Sequence, residues 1–123
     1  MTRQTPKRSR SETGREAEAL VAAKLASQGF AILGRNVRVG RLELDVIARR
    51  GSMVVVCEVR ARSSARIAEP FESIDRAKIA RIRRATAQWL ETAGLGPVGV
   101  RFDAASVVFD QEPPRIDYFE EAF

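Results

Sequence analysis

The sequence predicts an α/β fold in which a mixed sheet of four to five strands carries helices on its two faces. Three observations predict it. Apolar periodicity runs in the order α-β-β-β-α-β. The three early strands are separated by short breaks, which suits an antiparallel meander. The segment before the fourth strand is long enough for a helical crossover, so that strand should lie parallel to the third.

Each element has its own signal. Residues 1–10 hold Arg3, Lys7, Arg8 and Arg10 with no acid, and read as a disordered basic tail. Residues 11–123 read as one domain with a modest core. Ser11 or Thr13 can cap a first helix that runs to about Ser27 or Gln28, where Gly29 stops it. Val21 and Leu25 form its apolar stripe, and Glu18 flanks that stripe. Residues 30–38 read as a strand, followed by a hairpin of strands 42–49 and 53–61 about Gly51-Ser52. Residues 63–70 form a loop ending at Pro70, and a second helix runs from about Ser73 to Thr92, ended by Gly94-Leu95-Gly96-Pro97. Ile79, Ile82, Thr86, Trp89 and Leu90 give that helix its stripe, which makes Trp89 a core residue rather than a platform for a base. Residues 98–109 alternate as a fourth strand, Pro113-Pro114 breaks it, and Arg115–Phe119 adds a short edge strand.

Composition excludes several chemistries. The chain of 123 residues has no histidine, so Ser-His-Asp triads, histidine metal sites and histidine bases are all ruled out. Hydrolysis would have to come from carboxylates, Lys, Arg and metal-bound water. The sole cysteine, Cys57, lies in an apolar strand and reads as a small core residue in a reducing cytoplasm. No run of about 18 apolar residues offers a membrane span. No apolar segment follows the basic N-terminus as in a secretory signal. The net charge of +5 suggests a polyanionic partner. Four of those five charges sit in residues 1–10, which leaves only +1 for the rest.

The functional signal lies in Glu43–Ala48 and Val54–Arg60, two β-like runs that hold acids where a half-buried strand disfavours them. With a two-residue loop at Gly51-Ser52, opposed residues have numbers that sum to 103. Asp45 then faces Glu58 and Glu43 faces Arg60, with opposed Cβ atoms roughly 4.5–5.5 Å apart. Strict alternation puts Glu43, Asp45 and Ile47 on one face and Leu42, Leu44, Val46 and Ala48 on the other. Two carboxylates that close need a cation or a proton between them, and Mg²⁺ suits one or two carboxylates plus waters and phosphate oxygens. The same residues also admit a plain reading, in which Glu43–Arg60 is a cross-strand ion pair and Asp45 accepts backbone hydrogen bonds. Arg76, Arg83 and Arg84 fall on one side of the second helix, a row that suits a phosphate backbone but is usually a solvated face. Lys78, four residues before Ile82, can reach from the core edge toward the acids.

Beyond these residues, the chain matches a known pattern at Gly14-Arg15, Glu18, Gly29-Phe30, Arg35-Asn36, Glu43–Ala48, Glu58-Val59-Arg60-Ala61-Arg62, Lys78, Trp89-Leu90, Arg101-Phe102-Asp103 and Ala122-Phe123. That order resembles the bacterial YraN/UPF0102 family, whose members look like the Holliday-junction-resolvase branch of the PD-(D/E)xK nucleases. The resemblance implies a restriction-endonuclease-like three-layer α/β/α core. It further implies that Glu18, Asp45 and Glu58 hold Mg²⁺ or Mn²⁺, with Arg60 at the place of the catalytic Lys. Arg35, Arg62, Arg76, Lys78, Arg83 and Arg84 become the candidate nucleic-acid contacts. Three positions depart from the pattern: Arg60 stands for Lys, Ala17 for the Gly before the helix Glu, and Leu42 for the Gly before Glu43. Arg cannot give up its proton and is a planar fork, so Arg60 is not a conservative replacement.

The expected function is a metal-dependent, structure-selective DNA endonuclease of the resolvase-like type, or a derivative with weak activity. The alternative is a non-catalytic nucleic-acid-binding module on a nuclease-like fold, and a third reading is an ion-paired structural adaptor. DNA is the expected partner, no membrane is involved, and a homodimer is compatible with the sequence.

Overall fold

The computed structural model describes residues 10–62 and 75–123. The predicted loop at 63–70 and nearly all of the basic tail lie outside the described residues. The elements are α1 (Arg10–Ser27), β1 (Ala31–Val39), β2 (Leu42–Arg50), β3 (Met53–Arg62), α2 (Arg76–Ala93), β4 (Gly99–Val108) and β5 (Arg115–Phe119). The strands form a single sheet in the order β1-β2-β3-β4-β5. β1, β2 and β3 are an antiparallel meander, β4 runs parallel to β3 after the α2 crossover, and β5 returns antiparallel to β4.

Alternation along β3 divides the core into two layers. Val55 and Cys57 pack with Ala17, Val21, Ala22 and Leu25 of α1. Val54 and Val56 pack with Ile82 and Ala85 of α2. The helices therefore cover opposite faces of the sheet, which gives three layers. Trp89 packs at the margin of the α2 layer, as its helical spacing predicts.

The helix ends differ from expectation in two places. α1 already begins at Arg10, so Ser11 and Thr13 lie inside it rather than capping it. α2 begins at Arg76, where Asp75 is its cap and accepts the Lys78 N–H at 2.7 Å, and the predicted start at Ser73 lies outside the described residues. At the other end Gly94 adopts φ 66°, the left-handed conformation that glycine reaches without a Cβ penalty.

The β2–β3 register is the predicted one. Val46↔Cys57 through Arg50↔Met53 all sum to 103, and Gly51-Ser52 closes the turn. The alternation on β2 does not hold throughout. Val46 and Ala48 face α1, but Leu44 joins Ile47 in the α2 layer. The change of face falls at Asp45. On β1, Arg35 pairs with Val46 and Val37 with Leu44, while the intervening Asn36 has φ 52°. Asn tolerates that left-handed conformation better than most residues. Asn36 and Asp45 thus form a matched kink across two strands, and it switches which side of the sheet each strand presents.

Candidate functional site: a carboxylate fork between β2 and β3

The ladder between β2 and β3 ends at Val46↔Cys57, one pair short of Asp45 and Glu58. Beyond that point β2 stays paired with β1, and β3 stays paired with β4 through Arg62↔Val108. The sheet opens as a fork, with Asp45 and Glu58 on either side of its root. Asp45 replaces the missing ladder bonds with its own side chain, and its Oδ2 accepts the Val59 N–H at 2.8 Å. The Asp45 N–H in turn donates toward the Glu58 carboxyl.

Glu58 is 6% exposed, and its Oε2 has no hydrogen-bond partner. Burial, followed by the charge of Asp45, pushes the Glu58 carboxyl up to about 7. Burial raises Asp45 as well, opposed first by the Val59 N–H and then by Lys78. The positive charge of Lys78 acts on both acids, so the α2 side supplies the cation that faces the fork.

Glu18 reaches this region from α1. It is 7% exposed, and burial followed by the charge of Asp45 raises it to about 7. Asn36 faces it across the β1 kink. With its amide nitrogen turned to the carboxylate, Asn36 donates to Glu18 Oε2 at 2.6 Å and to Oε1 at 3.2 Å. The three acids share one electrostatic environment, since Asp45 raises Glu18 and both raise Glu58. Among the described residues, no group of three or more Asp, Glu or Cys stands close enough together to hold a metal ion. The donors at the fork are hard oxygens, and one buried oxygen lacks a partner. That set fits a divalent cation bound through two carboxylates with waters completing its shell.

The basic residues divide into groups. Arg60 follows Glu58 on β3, where burial and then the charge of Arg62 lower its pKa. Glu43 does not lie opposite Arg60, as the hairpin register extended to this end predicts, and the cross-strand ion pair of the plain reading is not formed. Glu43 lies opposite Arg38 on β1, and their side chains form an exposed pair at 3.9 Å. The kink at Asp45 is the reason, since it turns this end of β2 away from β3. Arg35 donates to the Arg15 carbonyl at 3.3 Å and helps to hold down the pKa of Glu18. The expected row of Arg76, Arg83 and Arg84 is divided. The Arg83 guanidinium lies 4.8 Å over the Phe102 ring on β4, whereas Arg84 lies on the flank facing the β1–β2 turn.

Two features of this region were not read as functional in the sequence. Asn36 holds Glu18, and its signal was an Asn inside a strand, where that residue is disfavoured. Asp103 is fully buried on β4, where it pairs with Cys57 of β3. It accepts from Arg101 Nε and Nη2 at 2.9 Å each, from the Tyr118 hydroxyl at 2.5 Å and from the Glu121 N–H at 3.0 Å. Its signal was the Arg-x-Asp spacing, which puts both side chains on one face of a strand.

Comparison with other proteins places the chain in a family. Residues 17–107 match the profile described as "Uncharacterised protein family UPF0102". The chain is 40% identical over 114 residues to a UPF0102 protein of Anaeromyxobacter dehalogenans (strain 2CP-C), covering 93% of this chain and 85% of the relative. It is 48% identical over 99 residues to one of Sorangium cellulosum (strain So ce56), covering 78% and 69%. A Frankia alni (strain DSM 45986 / CECT 9034 / ACN14a) relative is 39% identical over 120 residues, covering 94% and 98%.

Proposed function

This chain belongs to the UPF0102 family, and from that premise we propose that it is a nucleic-acid-binding domain on a nuclease-like sheet, with DNA as its ligand. The observation that carries the proposal is the charge of α2. Five of the nine residues Arg76–Arg84 are basic, and that stretch holds no acid. Cations at a helix N-terminus oppose the macrodipole, at a cost of about 0.3–1 kcal/mol each near the first turn. Local stability therefore argues against Arg76, while an anionic partner argues for it, and Lys78 also faces the two acids of the fork. A phosphate backbone lying along this half of α2 passes Lys78 and comes within reach of the fork.

The unpartnered Glu58 Oε2 favours a second reading, a metal-dependent and structure-selective endonuclease. Asp45 and Glu58 would hold Mg²⁺ or Mn²⁺, and Glu18, positioned by Asn36, would add its negative charge from nearby. The ion would polarise a phosphodiester and activate water for attack. Lys78 and Arg60 would offset charge on the phosphate from the two sides of the fork.

The test is binding and cleavage of duplex, flap, single-stranded and four-way-junction DNA, with matching RNAs, in Mg²⁺ or Mn²⁺. Affinity should fall with salt, by a log–log slope of about −0.9 for each duplex phosphate contacted. Replacing Arg76 and Lys78 by Gln should weaken binding and flatten that slope. Salt-independent binding, or none at all, rejects the proposal. Cleavage that disappears in Asp45→Ala establishes the second reading. Arg60→Lys should speed that cleavage at nearly unchanged affinity.

A further inference from the structure

A second concavity lies apart from the fork. It is a groove of about 260 Å³ between α2 and the two-residue turn that joins β1 to β2. Arg41 comes from the turn, and Arg81 and Arg84 come from α2. Among the described residues, no carboxylate forms an ion pair with any of these three. Three like charges around one hollow repel each other, and an anion seated among them removes that repulsion. The groove also has an apolar wall, made by Val39, Leu42 and Ala85, and Gln88 brings an amide that can both donate and accept.

This combination is more selective than a basic surface. A duplex backbone offers charge but no apolar face. A free phosphate needs neither the wall nor the amide. An unpaired nucleotide offers all three: a flat base for the wall, a polar base edge for Gln88, and flanking phosphates for the arginines. The volume lies just below the usual ~300–1,000 Å³ of ligand pockets, which suits one nucleotide rather than several.

Position connects the groove to the fork. Lys78, Arg81, Ala85 and Gln88 follow one another at spacings of three and four, so they form one ridge of α2. At 1.5 Å per residue, the groove occupies the stretch about 4.5–15 Å along the axis from Lys78. That is a few nucleotides of a strand with phosphates about 3.4 Å apart along a duplex axis, and fewer for an extended strand.

We propose that this groove is a subsite for one unpaired nucleotide of the bound strand, a short distance from the phosphate that faces the fork. The inference rests on the nucleic-acid reading and adds a preference to it. Substrates with an unpaired nucleotide should be held more tightly than uniform duplex.

The experiment measures fluorescence anisotropy of a duplex, the same duplex with a single-stranded extension, and the free single strand. The proteins are the natural chain, an Arg81→Gln/Arg84→Gln double variant and Arg41→Gln on the opposite wall. All three positions are exposed, so the fold should tolerate each change. The natural chain should prefer the extended duplex. The double variant should lose affinity for the plain duplex by about threefold, as two of the α2 charges are gone, and should lose about tenfold for the extended duplex, the excess being the subsite. Arg41→Gln should produce a smaller loss with the same selectivity. A 2-aminopurine in the extension should be quenched by the natural chain and not by the double variant. Equal losses on all three DNAs overturn the subsite and leave nucleic-acid binding standing. Failure of the natural chain to bind any of them overturns both.

Discussion

Two buried acids on neighbouring strands of this sheet are treated in opposite ways. Asp103 on β4 is fully enclosed and accepts four hydrogen bonds, two of them from one guanidinium. Glu58 on β3 is nearly as enclosed, faces a second carboxylate and leaves one oxygen without a donor. The contrast shows that this fold can satisfy a buried carboxylate fully. Asp103 ties Arg101, Tyr118 and the backbone at Glu121 together, which holds β5 and the segment after it against β4. Glu58 does nothing of that kind. Lys78 and the Asp45 N–H offset part of the cost of its charge, and a proton or an added cation removes the rest.

Neutralising each acid in turn should move stability in opposite directions. Asp103→Asn should lose about 2–3 kcal/mol in urea unfolding, because it removes the two close charge-assisted hydrogen bonds of Arg101 and leaves that guanidinium with Glu120 at 3.7 Å. Glu58→Gln should act in the other direction and gain about 1–2 kcal/mol at pH 8, read as a rise in melting temperature of roughly 3–8 °C. A loss of stability in Glu58→Gln would mean that the charge is satisfied after all.

The pH dependence refines the second outcome. Glu18 and Glu58 are raised in the fold from 4.5 to about 7. Between those values the folded chain holds protons that the unfolded chain has released, so stability falls as pH rises through this window and levels off above it. Denaturation curves from pH 4.5 to 8 should show this decline, and Glu58→Gln should flatten it. The advantage of that variant should therefore disappear near pH 5. A profile that rises across the window would contradict the geometry of the fork.

The smallest effect concerns the cation. Mg²⁺ or Mn²⁺ at five times its Kd should add about 1 kcal/mol to the natural chain at pH 8 by mass action. Asp45→Ala and Glu58→Gln should remove that gain, whereas Asn36→Ala should reduce it by freeing Glu18. Equal gains in all of these proteins would assign the ion to some other place.

How much of this was legible in the chain follows from the range of each interaction. The strands, their order and the 103 register were readable because period-two patterning and Gly51-Ser52 act locally. Asp45 and Glu58 stood out because an acid in an apolar strand is costly anywhere. The kink was hidden, since it depends on Asn36 of one strand and Asp45 of the next acting together, and alternation along a single strand carries no trace of that. For the same reason the expected Glu43–Arg60 pair gave way to Glu43–Arg38. The division of the α2 arginines was also hidden. Helical spacing groups Arg76 with Arg83, but only the sheet beneath puts Phe102 under one flank and the β1–β2 turn beside the other.

The parallel pairing of β3 with β4 has a consequence for how the molecule assembles. The β1–β2 and β2–β3 hairpins join residues close in sequence, so their loop-closure entropy is small and they can form early. Met53 meets Gly99 only after the whole of α2 has been spanned, which makes this the contact of high sequence separation and the slow one to form. β3 needs β4 as its partner precisely where it leaves β2, from Glu58 to Arg62. A nascent chain that has emerged only as far as β3 can therefore hold its hairpins but has nothing to keep the two acids apart in a fork. The acidic centre matures last, when the chain has closed over itself, although both of its acids lie in the first half of the sequence.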